Sequence, residues 1–203
     1  MSACGMRAND NCAPATFDEC GTLAKMVDHY MSVRGDRHAR DLAWWGDQAL
    51  TLDRAIHRAM FQLEGEGKRD RHQRPFSSAQ LSAMGARLVS YAPALKQARG
   101  SFERLHKAVE QGLGLAPGRS PLLVYDVSYR LGCYLEAPPR QVYLHAGPKV
   151  GAVRLKPALR RYRRLDPADP AQLPKSLRTR LTPDQIENFL CVARRALRAD
   201  LWD

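Results

Sequence analysis

Aromatic side chains are scarce in this chain, 7% of 203 residues, and no apolar run approaches the roughly 18–20 residues that a membrane-spanning helix requires. No transmembrane segment is therefore expected. Cysteine is sparse as well. Cys4, Cys12, Cys20, Cys133 and Cys191 are an odd number without a Cys-x-x-Cys pair, and the eight-residue spacing of the first three fits no zinc motif. The histidines, His29, His38, His57, His72, His106 and His145, neither accompany the cysteines nor stand four apart from one another. No metal site is expected. A disulfide framework is unusual at this size, so a reducing, cytoplasmic setting is the default, with Cys133 and Cys191 as small core residues. Residues 1–15 lack the apolar centre of a secretory signal and read as a flexible polar arm. Walker loops, Ser-His-Asp arrangements and paired-carboxylate motifs are missing too, so no cofactor is called for and no motif names a reaction.

What is present is positive charge on a foldable composition. Charged residues make up 26% and apolar residues 44%, a balance that argues against disorder, and the length suits one domain with a real core. Lysine and arginine number 32 against 21 aspartates and glutamates, a formal net charge of +11. Residues 1–118 carry +3 of it, residues 119–180 carry +9 and residues 181–203 carry −1. Within the basic subregion 119–180, Lys149, Arg154, Lys156, Arg160, Arg161, Arg163 and Arg164 fall inside 16 positions, interleaved with Tyr162 and with no acidic residue between them. Solvated helix faces usually mix signs, because like charges one turn apart repel. The segment therefore reads as an anion-binding surface. The competing reading pairs these cations with carboxylates of the first 118 residues.

Periodicity is helical almost throughout, and the chain reads as an all-α array of roughly six to eight helices forming a single domain over residues 16–203. Thr16 and Glu19 offer a capping box for a helix from Phe17 to Val33 that Gly35 ends; Asp36 then caps a long second helix striped by Leu42, Trp45, Ala49, Leu52, Ile56, Ala59 and Leu63. Arg34-Gly35-Asp36 is thus a helix stop and cap. Residues 65–75 form a loop and the best candidate for a hinge. Ser77 with Gln80 opens a third helix, broken at Pro93; Leu95 to Val109 carry a fourth, ending near Gly112. Ser120-Pro121 starts a fifth, stopped by Pro138-Pro139. Short helices from about Arg140 to His145 and from Gly147-Pro148 to Leu155 precede a basic, proline-rich stretch over 157–180, and Thr182, Pro183 and Gln185 start the last helix.

Two segments carry motifs. Val142-Tyr-Leu-His-Ala-Gly-Pro-Lys-Val-Gly-Ala-Val-Arg-Leu155, two short helices about a glycine hairpin, resembles the helix-hairpin-helix modules of DNA-repair proteins. The resemblance implies that Gly147, Pro148 and Lys149 form the hairpin, whose glycine and amides approach a DNA phosphate, and that Gly151 and Ala152 make the close helix contact. An ordinary turn, with Gly147 capping one helix and Pro148 starting the next, accounts for the same residues. Upstream, Val124-Tyr-Asp-Val-Ser-Tyr-Arg-Leu-Gly132 resembles the segment around the catalytic aspartate of helix-hairpin-helix DNA glycosylases, which implies that Asp126 stabilises cationic charge developing on a sugar or helps deprotonate a nucleophile. In that family the hairpin precedes the aspartate, the reverse of the order here. Asp126 is equally readable as a first-turn helix residue pairing with Arg130.

Trp45 lies on the apolar stripe, while Trp44, one step round the helix beside Arg37, His38 and Arg40, is placed to stack a base or anchor a protein. The leading expectation is a nucleic-acid-binding protein, for DNA or RNA, that contacts the phosphate backbone through residues 140–165. Its site residues are Gly147, Lys149, Arg154, Lys156, Arg160, Arg161, Arg163 and Arg164. The alternatives are a DNA-processing enzyme using Asp126, with Tyr125, Tyr129, Tyr143 and His145 as pocket walls, and an interaction module that binds an acidic protein through the same cations.

Overall fold

A computed structural model describes residues 17–61, 73–114 and 120–203. The expected N-terminal arm lies outside these residues, as does most of the candidate hinge at 65–75. The protein is all-α: the described residues hold nine α-helices and one two-stranded ribbon. No helix among them is long and apolar enough to cross a membrane. The chain divides into two compact units, one made of residues up to Gly35 together with Gln141–Asp203, the other of Asp36–Arg140. The hydropathy pattern, continuous from residue 16 onward, carries no mark of that division.

Helix α1 spans Leu23–Trp45 without interruption. Gly35 and Asp36 do not break it, contrary to the sequence expectation. A mid-helix glycine costs only about 1 kcal/mol, which the burial of Leu23, Met26, Val27, Tyr30 and Trp45 outweighs, and the Arg37–Asp41 pair at 3.8 Å braces the turn that follows. The start also differs. Thr22, whose hydroxyl accepts from Lys25 N, opens α1 after a turn in which Gly21 adopts φ +71°. The real break comes after Trp45, where Gly46 N bonds Leu42 O and the Asp47 carboxylate accepts from Ala49 N.

In the unit of Asp36–Arg140, α2 (Leu52–Met60), α3 (Ser78–Ser90), α4 (Ala92–Gln97), α5 (Phe102–Leu113) and α6 (Pro121–Tyr134) surround one apolar core that includes Ile56, Met60, Leu81, Leu88, Leu105, Val109, Val127 and Leu131. Hydroxyl caps start four of these helices: Thr51, Ser77 with Gln80 in a capping box, Ser101 and Ser120. Pro93 in the first turn of α4 marks the break after α3. Arg130 is buried, at 6% exposure. Its Nη1 donates to Ala59 O at 2.9 Å, beside Gln73 Nε2 at 3.0 Å, and its guanidinium lies 5.3 Å from the Trp45 ring. Two buried donors thus satisfy a carbonyl in the last turn of α2, where helical partners run out. Replacing Arg130 by methionine is expected to lower the stability of this unit by about 2 kcal/mol, the scale of a buried hydrogen bond from a charged donor. Denaturant unfolding of a Trp44→Phe, Trp202→Phe background, in which Trp45 is the remaining fluorophore, checks it.

The other unit is built from the first turns of α1, the strands β1 (Val142–Tyr143) and β2 (Arg164–Leu165), and the helices α7 (Ala146–Leu155), α8 (Lys175–Arg178) and α9 (Pro183–Val192). A 3₁₀ turn over Pro157–Arg161 links α7 to β2. Phe17 and Tyr30 meet Phe189 edge-on at 6.0 and 5.6 Å, and the Tyr30 hydroxyl donates to Asn188 Oδ1. Thr182 and Gln185 form the expected capping box of α9, and the Asp203 carboxylate accepts from the Ser176 amide and hydroxyl in α8.

The helix expected from Arg140 to His145 is instead extended. Pro138-Pro139 hold the incoming chain out of helical dihedrals, and Val142 and Tyr143, both buried, pair antiparallel with Leu165 and Arg164. Gly147-Pro148 do not break α7 either. Pro148 sits in its first turn, where an amide proton has no helical partner to lose. The first arm of the resembled hairpin is therefore a strand, and only the second is a helix.

Candidate functional site

The seven cations of residues 149–164 separate into two sets. Lys149 Nζ, from the first turns of α7, donates to Arg160 O at 2.6 Å and to Tyr162 O, tying the end of the 3₁₀ turn to the helix. Arg154 Nη1 donates to Arg195 O at 2.7 Å. Lys156 Nζ donates to Ala171 O at 2.7 Å and stands 4.4 Å from the centre of the Trp202 ring. These three join elements of their own unit. Backbone carbonyls, not carboxylates, receive them.

The second set is Arg160, Arg161, Arg163 and Arg164, all exposed, at the end of the 3₁₀ turn and the start of β2. Leu159 and Leu165 on either side are buried, so the backbone is held while the four guanidinium groups reach outward. Arg161 lies 4.9 Å from the Tyr162 ring and donates to its hydroxyl, and Arg164 lies 5.4 Å from the Tyr143 ring. Among the described residues no carboxylate is paired with any of the seven cations. Within their own unit, the described carboxylates of the first 118 residues, Asp18, Glu19 and Asp28, are not paired with them.

Gly147 and Gly151 serve packing. A Cβ on Gly147 would overlap Cys191 Sγ and lie 3.4 Å from Cys191 Cβ; one on Gly151 would overlap Leu190 O and lie 2.9 Å from its carbonyl carbon. Both glycines face α9. The close helix contact expected of Gly151 is present, with α9 as the partner, whereas Gly147 has a side chain against it where the resemblance implies open backbone. Beside them the His145 imidazole lies 3.1 Å from Glu187 Oε1, both side chains about nine-tenths buried. Forty-two positions separate these two residues, and no local pattern marks them as neighbours.

Asp126 is half-buried in the middle of α6, not in its first turn, so the helix dipole does not account for it. It is flanked by Tyr125, buried against Phe102 at 5.9 Å, and Tyr129, whose ring stacks on that of Tyr125 at 6.3 Å. Tyr125, Asp126 and Tyr129 belong to one unit, Tyr143 and His145 to the other. Trp44 is 55% exposed, the most open large apolar residue described, while Trp45 is buried. Arg58 lies 3.8 Å over the Trp44 ring and donates to Trp44 O at 2.6 Å and toward Asp47 Oδ2 at 3.5 Å. The sequence marks Trp44 as exposed, but nothing in it selects Arg58 as its partner.

Burial, reinforced by Glu19, raises the pKa of Cys20. Among the described residues no group of three or more histidine, cysteine or acidic side chains is placed to hold a metal ion. Comparison with protein-family models, with curated proteins and with solved structures finds no match.

Proposed function

We propose that this protein binds nucleic acid through its phosphate backbone, using Arg160, Arg161, Arg163 and Arg164 as the contact surface. The observation that supports it is the exposure of four arginines within five positions with no carboxylate paired to them among the described residues. Guanidinium groups suit phosphate because their planar donors bond two oxygens at once. Contacts of this kind give affinity and orientation with little sequence discrimination. Lys149, Arg154 and Lys156 instead donate to backbone carbonyls of their own unit.

Titration of the protein with duplex DNA, single-stranded DNA, RNA and polyglutamate at two salt concentrations tests the reading. Binding to the nucleic acids that weakens steeply with salt supports it. Preference for polyglutamate would instead favour an acidic protein as partner. The division of the cations yields a control. Lys149→Met is expected to lower the melting temperature by several degrees, because Lys149 bonds two carbonyls, and to leave the salt dependence of binding unaltered. A shallower salt dependence in that variant would return Lys149 to the contact surface.

A further inference from the structure

Building on the phosphate-binding reading, we infer that Trp44 is a stacking platform for an unpaired nucleobase, which makes single-stranded nucleic acid the substrate class. Four observations converge on it. The indole is 55% exposed although Arg58 lies against it at 3.8 Å, so the covered face is the guanidinium's and much of the remaining ring is open. Arg58 is itself anchored, by Trp44 O and by Asp47, and this fixes the ring it covers. The neighbouring Trp45 is buried and Gly46 follows immediately, so Trp44 stands in the last turn of α1 with its neighbour anchored. Finally, the residues one and two turns back along the same face of α1 are Arg40, Asp41 and Arg37.

That last point selects the occupant. A protein-binding surface is usually set in a contiguous apolar patch, whereas the residues one and two turns back from Trp44 are charged and the exposed Leu42 lies on another face of α1. Base stacking needs one ring face and a cation for the adjoining phosphate. Arg40 is exposed and has no carboxylate paired with it among the described residues; Arg37 is paired with Asp41. A duplex keeps its bases inside the stack and offers the ring nothing to cover. The guanidinium on the far face adds a cation–π contact that orders the indole before a base arrives.

The experiment is a fluorescence and affinity titration of the full chain with a dodecamer of thymidine and with a duplex of the same length. The variants are Trp44→Ala and Trp44→Phe. The wild-type protein is expected to show quenched tryptophan emission with the single strand and not with the duplex. Trp44→Ala should bind the single strand at least roughly five-fold more weakly, and Trp44→Phe should recover most of that loss while showing less quenching, because a ring remains and the fluorophore does not. Circular dichroism and melting of both variants guard against misfolding, and Trp44→Phe keeps the stacked Arg58 in place. Equal binding by all three proteins, or quenching that survives in Trp44→Phe, overturns the platform and leaves the phosphate reading standing. Absence of binding to any nucleic acid overturns both. A protein complex lost in Trp44→Ala, with emission indifferent to the single strand, would assign the ring to a protein partner instead.

Discussion

Replacing Arg160, Arg161, Arg163 and Arg164 together by alanine is expected to remove most of the salt-dependent affinity for nucleic acid. Four consecutive steps of extended chain reach at most about 14 Å, and a duplex presents one phosphate per strand every ~3.4 Å of its axis. The four guanidinium groups thus have room for about four phosphates. If each displaces a counterion, the logarithm of the binding constant should fall against the logarithm of salt with a slope of about −3.6 on duplex DNA, a loss of roughly 150-fold between 50 and 200 mM. On a single strand the slope should be about −2.8. Each single substitution should make the duplex slope about 0.9 shallower, and the fourfold variant should bring it near zero. Because all four side chains are exposed, the variant should melt within a few degrees of the wild type. Fluorescence anisotropy over five salt concentrations gives the slopes, and a slope that the fourfold variant leaves intact would remove these arginines from any interface.

The helical class of the fold and most of the apolar faces were legible in sequence, because helix periodicity and hydroxyl caps are local signals. Ser77 with Gln80, Ser120 with Pro121 and Thr182 with Gln185 stand where the structure has helix starts. The misreadings are cases in which a local signal loses to tertiary packing. Gly35-Asp36 is a good stop and cap in isolation, yet α1 runs through it because buried residues lie on both sides. Residues 140–145 have a helical look only until β2, twenty positions on, supplies a strand to pair with. At the candidate site the density of charge was visible, but its division was not. Whether a lysine reaches solvent or a carbonyl eleven positions away depends on how the chain returns, and that separates Lys149 from Arg160.

Gly151→Ala is expected to destabilise its unit severely, against the usual benefit of alanine in a helix. The methyl group would meet the carbonyl oxygen, carbonyl carbon and Cα of Leu190, all backbone atoms of α9, so no side-chain rotation relieves the contact. Helices α7 and α9 must move apart, which opens the layer in which Ala152, Leu155, Ile186 and Leu190 are buried. Forced overpacking of this kind costs about 1–3 kcal/mol and at times more, and with no flexible neighbour to give way the upper end is expected. Gly35→Ala supplies the contrast. Gly35 also lies inside a helix, but a Cβ there has Met31 Cε at 3.7 Å as its nearest neighbour, an ordinary contact, so this substitution should stabilise by up to about 1 kcal/mol through helix propensity. Denaturant melts of the two variants should therefore shift in opposite directions. The close helix contact that the resemblance implies for Gly151 is thus read out by stability, and the position of Leu190 against Gly151 makes a lower melting midpoint the first effect of the substitution.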